Sequence, residues 1–199
     1  MLVTKQAPDF TAAAVLADGS IVNDFKLSEN FGEKGTVVFF YPLDFTFVCP
    51  SEIIAFSHRY NEFQERGVNV VGISVDSQYS HFAWRNTPVN EGGIGKINFP
   101  LVADITKNIA RDYDVLLEDG GVALRGSFLI DKEGVIRHAV INDLPLGRNV
   151  DEMLRMVDAL HFHDENGEVC PAGWQKGDEG MKDTAEGVAD YLAKHEKEL

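Results

Sequence analysis

Thr36–Pro50 reads TVVFFYPLDFTFVCP. Its first six residues, Thr36 to Tyr41, are apolar on both faces, the pattern of a central strand covered on each side. The stretch ends at Cys49-Pro50, where the strand has given way to a helix. Proline suits the first helical position, because its missing N–H would have had no partner there. This spacing predicts Pro50 as the first helical residue and Cys49 as the N-cap, facing free backbone N–H groups at the positive end of the helix dipole. Such an environment favours a thiolate, and the thiolate is the nucleophile. Cys49 also replaces the Ser, Thr, Asp or Asn of a purely structural cap, and Thr46, three residues earlier, can turn its hydroxyl to the sulfur. The stretch reads as a reactive cysteine at the end of a central strand.

Working outward, Phe10–Leu16 and Ile21-Val22 flank Asp18-Gly19-Ser20 as a short hairpin. Ile53, Phe56, Tyr60 and Phe63 recur at helical spacing after Cys49, with Gly67 as the stop. Val68–Val75 is a second buried strand. A helix with Phe82 and Trp84 follows and ends at Pro88, and Gly92–Gly95 is a loop. After a short helix near Asn108–Tyr113, Gly126–Ile130 and Val135–Ile141 are joined by the tight turn DKEG and predict an antiparallel pair. Met153, Leu154, Val157 and Leu160 share one face of a helix starting near Val150. This order predicts an α/β protein with a thioredoxin-like fold: a mixed central sheet flanked by helices, plus a C-terminal arm and helix. The expected domains are 1–163 and an arm with a final helix at 164–199.

A net charge of −14 over 199 residues argues against nucleic acid or an anionic membrane as partner. The first residues, MLVTKQAPDF, lack the basic cluster and apolar run of a secretory signal, and no apolar stretch is long enough to span a bilayer. Two distant cysteines then read as catalytic or redox-active rather than as a static disulfide, and a cytoplasmic location is expected.

PLDFTFVCP carries the P-x-x-x-T-x-x-C signature of the peroxiredoxins. SVDSQYSHFAW (Ser74–Trp84), GGIG (Gly92–Gly95), RGSFLID (Arg125–Asp131), NDLPLGRNVDE (Asn142–Glu152) and EVCPAGW (Glu168–Trp174) follow in order. Together they resemble the typical two-cysteine peroxiredoxins, the group of thioredoxin peroxidases and the peroxidatic components of alkyl hydroperoxide reductase. The resemblance implies a thiol peroxidase for hydrogen peroxide and organic hydroperoxides, with no metal, haem or flavin cofactor of its own. Cys49 would be the peroxidatic cysteine, with Thr46 and the Cys49 N–H as donors to the peroxide. Arg125, which read alone is a surface charge before a strand, would supply a permanent positive charge through a planar fork. Pro42 would shield the site. Glu52 stands where it can cap the helix by reaching back to the Cys49 N–H, and by the resemblance it also holds the active-site arginine. Arg148 resembles a second arginine pairing with that carboxylate; read alone it is a helix-entry charge.

Cys170 would be the resolving cysteine, carried by a flexible-looking arm and, by the resemblance, supplied by the partner subunit of a homodimer. Rings of five dimers, a decamer, and reduction by thioredoxin or a flavoprotein disulfide reductase are implied in the same way. The group also implies that Gly92–Gly95 and a C-terminal Tyr-Phe pair restrain unwinding at the active helix. Here that pair is Tyr191-Leu192, so intermediate resistance to overoxidation is expected.

Three other readings carry less weight. A thiol–disulfide oxidoreductase needs C-x-x-C, and Glu52 occupies the second position. A metal site from His161, His163, Asp164 and Cys170 has suitable ligand types without a recognised zinc spacing. A holdase built on the same ring is compatible with a peroxidase. His58, His81, His138 and His195 read as surface or core residues, and Tyr41 as core at the end of the strand.

Overall fold

The strand expected at Thr36–Tyr41 spans Gly35–Phe40, lies inside a sheet and is covered on both faces. The computed structural model describes residues 1–197. Elements in chain order are β1 (Thr11–Val15), β2 (Ile21–Lys26), β3 (Gly35–Phe40), α1 (Cys49–His58), α2 (Tyr60–Glu65), β4 (Val68–Ser74), α3 (Gln78–Asn86), β5 (Leu101–Ala103), α4 (Asn108–Asp112), β6 (Leu116–Leu117), β7 (Val122–Ala123), β8 (Arg125–Asp131), β9 (Ile136–Asn142), α5 (Val150–Asn166) and α6 (Ala185–His195). The chain divides into two compact units, Met1–Val150 and Asp151–Leu199.

In the first unit seven strands form a mixed sheet in the order β2-β1-β5-β4-β3-β8-β9. β3 runs parallel to β4 and antiparallel to β8, and every residue of β3 is buried. Alternate side chains serve opposite faces. Val38 and Phe40 join a core with Ile73, Val102, Tyr113 and Phe128. On the other face Phe39 stacks on Phe56 of α1 at 4.4 Å and meets Phe99 edge-on at 5.6 Å. Truncating a ring so placed costs about 3–5 kcal/mol. The same ring explains Gly72 within β4, where a Cβ would come within 2.9 Å of Phe39 and 2.8 Å of Leu101. β8 and β9 pair antiparallel as their sequence predicts. Gly134 turns the chain between them with φ +82°, and Asp131 accepts the Glu133 and Val135 N–H groups.

The single helix expected after Cys49 is broken at Arg59, whose φ and ψ of −96° and 5° separate α1 from α2. Neither glycine nor proline marks the break, so local composition does not announce it.

In the second unit α5 and the arm belong together, and the division falls at residues 150/151 rather than 163/164. Arg155 of α5 donates to the Trp174 carbonyl at 2.9 Å, and Trp174, 3% exposed, packs 4.9 Å from Phe162. A bridge between Val169 and Met181 closes the arm on itself. Residues 164–183 are thus folded, with an aromatic anchor that their polar composition hides. α6 is capped by the Thr184 hydroxyl, which accepts the Gly187 N–H at 3.0 Å.

Candidate active site around Cys49

The C-terminal end of β3 delivers the chain into a loop, Tyr41–Val48, and then into α1. Such strand ends are where open α/β sheets expose their ligand-binding crevices. β8 runs opposite to β3 with Ser127 facing Phe39, so Arg125, the first residue of β8, rises beside the same end. Pro42 is buried at the start of the loop. Phe45 adopts a left-handed backbone, φ +52°, which costs a non-glycine residue about 1–2 kcal/mol.

The helix begins one residue earlier than its proline predicts. Val48 already has helical dihedrals and its carbonyl accepts the Ser51 and Glu52 N–H groups at 3.1 and 3.3 Å. Val48 is therefore the cap, Cys49 the first helical residue and Pro50 the second. Proline fits either position, because N–H groups throughout the first turn lack intrahelical partners. Cys49 keeps its place among those groups.

The Cys49 side chain is fully buried and its sulfur is a free thiol. The Thr46 hydroxyl lies 3.0 Å from Sγ and 2.8 Å from the Leu43 carbonyl. A carbonyl only accepts, and the hydroxyl has one proton. With a thiol, the order is S–H to Thr46 to Leu43; an ionised sulfur competes for the Thr46 proton. From the other side Arg125 Nη1 reaches Sγ at 3.3 Å and Glu52 Oε2 at 2.7 Å, while its Nε donates to the Leu144 carbonyl at 2.7 Å.

Glu52 does not cap the helix. Its Oε1 accepts the Arg148 backbone N–H and Nε at 2.9 and 2.8 Å, and its Oε2 accepts Arg148 Nη2 at 2.9 Å besides Arg125. Both oxygens are turned toward the two guanidiniums. Arg148 Nη1 also donates to the Phe40 and Gly126 carbonyls at 2.7 and 2.8 Å, and its guanidinium lies 5.1 Å from the Phe39 ring centre. Burial pushes the Arg148 guanidinium below the usual arginine value, and Glu52 opposes the shift. The side chains of Glu52, Arg125 and Arg148 are 3 to 4% exposed. Two buried cations and one buried carboxylate leave one positive charge in excess beside Sγ, which an ionised sulfur or a developing oxyanion balances.

Cys49, Thr46, Glu52, Arg125 and Arg148 thus form one constellation. Cys170 belongs to the second unit, half-buried, its thiol 3.4 Å from the Ala159 carbonyl. Burial pushes the Cys170 thiol up, with Arg155 pulling the other way. Sequence reasoning missed the Leu144 carbonyl, which carries no side-chain signal, and the buried partners of His81. Among the described residues no group of His, Cys, Asp or Glu is arranged to hold a metal ion, and no helix is long and apolar enough to cross a membrane.

Comparison with known proteins agrees with the geometry. Residues 3–139 match the AhpC/TSA family, and residues 159–194 match the C-terminal domain of 1-Cys peroxiredoxin. Alkyl hydroperoxide reductase C of Helicobacter pylori is 64% identical over 199 residues, covering all of both chains. Peroxiredoxin-2 of Mus musculus is 53% identical over 193 residues, covering 97% of this chain and 96% of that one. The reduced 2-Cys peroxiredoxin of Plasmodium vivax superposes with a TM-score of 0.93 at 50% identity, covering 97% of this chain and 99% of that one. With its Cys49 loop and its C-terminal segment both matched, this chain belongs to the AhpC/TSA family and is a typical two-cysteine peroxiredoxin.

Proposed function

We propose that Cys49 is the peroxidatic cysteine of a thiol peroxidase acting on hydrogen peroxide and organic hydroperoxides. The observation that carries this reading is the buried sulfur held between a hydroxyl at 3.0 Å and a guanidinium at 3.3 Å. The thiolate attacks the nearer peroxide oxygen, an S–O bond forms, the O–O bond breaks, and the electron pair leaves on an alkoxide or hydroxide that takes up a proton. Donors fixed where that charge develops lower the barrier. Arg125 faces the sulfur with its guanidinium, and Thr46 and the Cys49 N–H supply further donors. Glu52 and Arg148 keep Arg125 in place, and Pro42 screens the sulfur from bulk water.

The product is a sulfenic acid on Cys49 and an alcohol or water. Cys170 then attacks the sulfenic sulfur, forming the disulfide and releasing water. In this reading Cys170 comes from the partner subunit of a homodimer, and the first turn of α1 unwinds to let the sulfurs meet. An external dithiol, thioredoxin or a flavoprotein disulfide reductase, returns both thiols, and the chain works in the cytoplasm. Two surfaces support association, including a decamer of five dimers. β9 forms one edge of the sheet. The Leu43–Phe47 loop leaves Phe45 52% and Phe47 96% exposed beside α3, to which Asp44 is bonded through Ser80 at 2.7 Å; exposed apolar clusters of this kind mark contacts.

The test is peroxide consumption by reduced protein, read per subunit. Wild type consumes peroxide until its thiols are spent. Cys170→Ser reduces one equivalent and stops at sulfenic acid, and Cys49→Ser consumes none. Consumption by Cys49→Ser at the wild-type rate would refute the assignment.

A further inference from the structure

Beneath the active-site loop lies a polar cluster that the chemistry above does not use. His81, on α3, has no solvent exposure. Its Nε2 is 3.1 Å from the Val102 carbonyl oxygen, which can only accept, so Nε2 carries a proton. Its Nδ1 is 2.8 Å from Asp44 Oδ2. Asp44 also accepts the Ser80 hydroxyl at 2.7 Å on Oδ2 and the Tyr41 hydroxyl at 2.9 Å on Oδ1. Burial and the nearby Asp44 charge push the Tyr41 phenol up, so it stays a donor. Nδ1 also lies 3.3 Å from the Tyr41 hydroxyl, so Asp44, Tyr41 and His81 close a three-membered hydrogen-bonded ring, with Ser80 on its outer side. The side chains of His81 and Asp44 are 0% and 1% exposed.

Asp44 sits in the Tyr41–Val48 loop that leads into Cys49. Its backbone N–H donates to Asp76 Oδ2 at 2.8 Å, and Asp76 also accepts the Ser74 hydroxyl at 2.7 Å. Side chain and main chain of Asp44 are thus pinned to the C-terminal ends of β3 and β4 and to α3. The residue before it, Leu43, offers the carbonyl that holds Thr46; the residue after it, Phe45, takes the left-handed turn. Where Asp44 goes, the Thr46 hydroxyl follows.

We propose that His81, hydrogen-bonded to Asp44 through Nδ1 and to the Val102 carbonyl through Nε2, is a positioning residue that sets the Thr46 hydroxyl against the Cys49 sulfur. The inference rests on Cys49 being the peroxide-reducing cysteine. His81 touches neither sulfur nor peroxide; it acts through Asp44. A displaced donor costs rate although the nucleophile itself is unchanged, and misplacement by about 1 Å can cost about 10²-fold.

The test compares two reactions of the same sulfur in full-length wild type and His81→Gln. Gln removes the ring nitrogen that faces Asp44 while keeping an amide N–H for the Val102 carbonyl. The second-order rate constant with hydrogen peroxide, which needs Thr46, should fall about 10- to 100-fold. Alkylation of Cys49 by iodoacetamide, followed in the Cys170→Ser background, should stay within about twofold, since it does not use the Thr46 donor. A variant that has merely loosened the fold would instead alkylate faster, because the wild-type sulfur is buried, and that result overturns the proposal, as does an unchanged peroxide rate. A second reading does not depend on the variant: nitrogen-15 shifts of labelled His81 in wild type should show Nε2 protonated and Nδ1 engaged in a hydrogen bond, and an Nδ1 shift of an unbonded imidazole nitrogen would contradict the proposal. Should wild type itself show no fast peroxide reaction at Cys49, the catalytic assignment fails, while the nitrogen shifts still report on the pair.

Discussion

The two cysteines occupy opposite kinds of environment. Cys49 is sealed in the first unit, with Thr46 and Arg125 aimed at its sulfur and a fully engaged Glu52–Arg148 pair behind them. Cys170, in the second unit, is half-buried and has one long contact, 3.4 Å to a carbonyl. One sulfur is faced by a hydroxyl and a guanidinium; the other lies on a short folded arm, where burial pushes its thiol up. The difference teaches that selectivity here comes from placement. Both residues are cysteines, and only one has charge and hydroxyl arranged around it.

If the first environment is a preorganised charge cluster, its keystone is Glu52. Glu52→Gln leaves two buried guanidiniums without their carboxylate and should lower unfolding stability by about 3–5 kcal/mol, measured by urea denaturation. A loss below about 1 kcal/mol would mean that solvent reaches the cluster and the comparison fails. Next in size, Arg125→Met should reduce the second-order rate with peroxide by about 10²–10³-fold. Arg148→Met should reduce it less, because Arg148 bonds Glu52 and not the sulfur. The reverse ranking in stopped-flow kinetics would reassign the charge that matters.

The second environment is probed by pH. Burial raises the Cys170 thiol above its ordinary value, so a smaller fraction is thiolate at neutrality and closure of the disulfide should keep accelerating as pH rises through the ordinary thiol range. Levelling off below that range, in rapid-mixing measurements starting from the sulfenic acid, would show that the arm leaves its packed state before Cys170 reacts. The smallest effect concerns Leu192, which is 42% exposed on α6. If residues 191 and 192 restrain unwinding of α1, Leu192→Phe should form sulfinic acid a few times faster during turnover, read by mass spectrometry. Equal sensitivity would remove that restraint.

Much of this comparison is legible in the residues alone. TVVFFY announces a covered strand, DKEG a tight turn, and PLDFTFVCP a cysteine at a helix start, because each depends on neighbours in the chain. Thr46 falls in the same class, three residues from the sulfur it faces. What local pattern does not give is long-range partnership. Glu52 looks like a reciprocal cap from its spacing, yet its partners lie 73 and 96 residues away, and the buried cations outcompete a cap. His81 offers no pattern at all, since its partner Asp44 comes from another segment. The arm misleads for a different reason: its glycines and charges read as open chain, while one buried ring, Trp174, organises it. The helix start is off by a single residue because proline is equally at home in the first two helical positions.

The central claim is that peroxide joins the two environments through a bond between subunits. Preparations of ordinary and nitrogen-15-labelled protein, reduced, mixed to exchange subunits and treated with one equivalent of hydrogen peroxide, are digested without reduction and analysed by mass spectrometry. The account predicts a Cys49–Cys170 peptide pair in which half of the pairs carry one labelled and one unlabelled partner. Pairs that are only fully labelled or fully unlabelled after verified exchange, or no such pair at all, would contradict it.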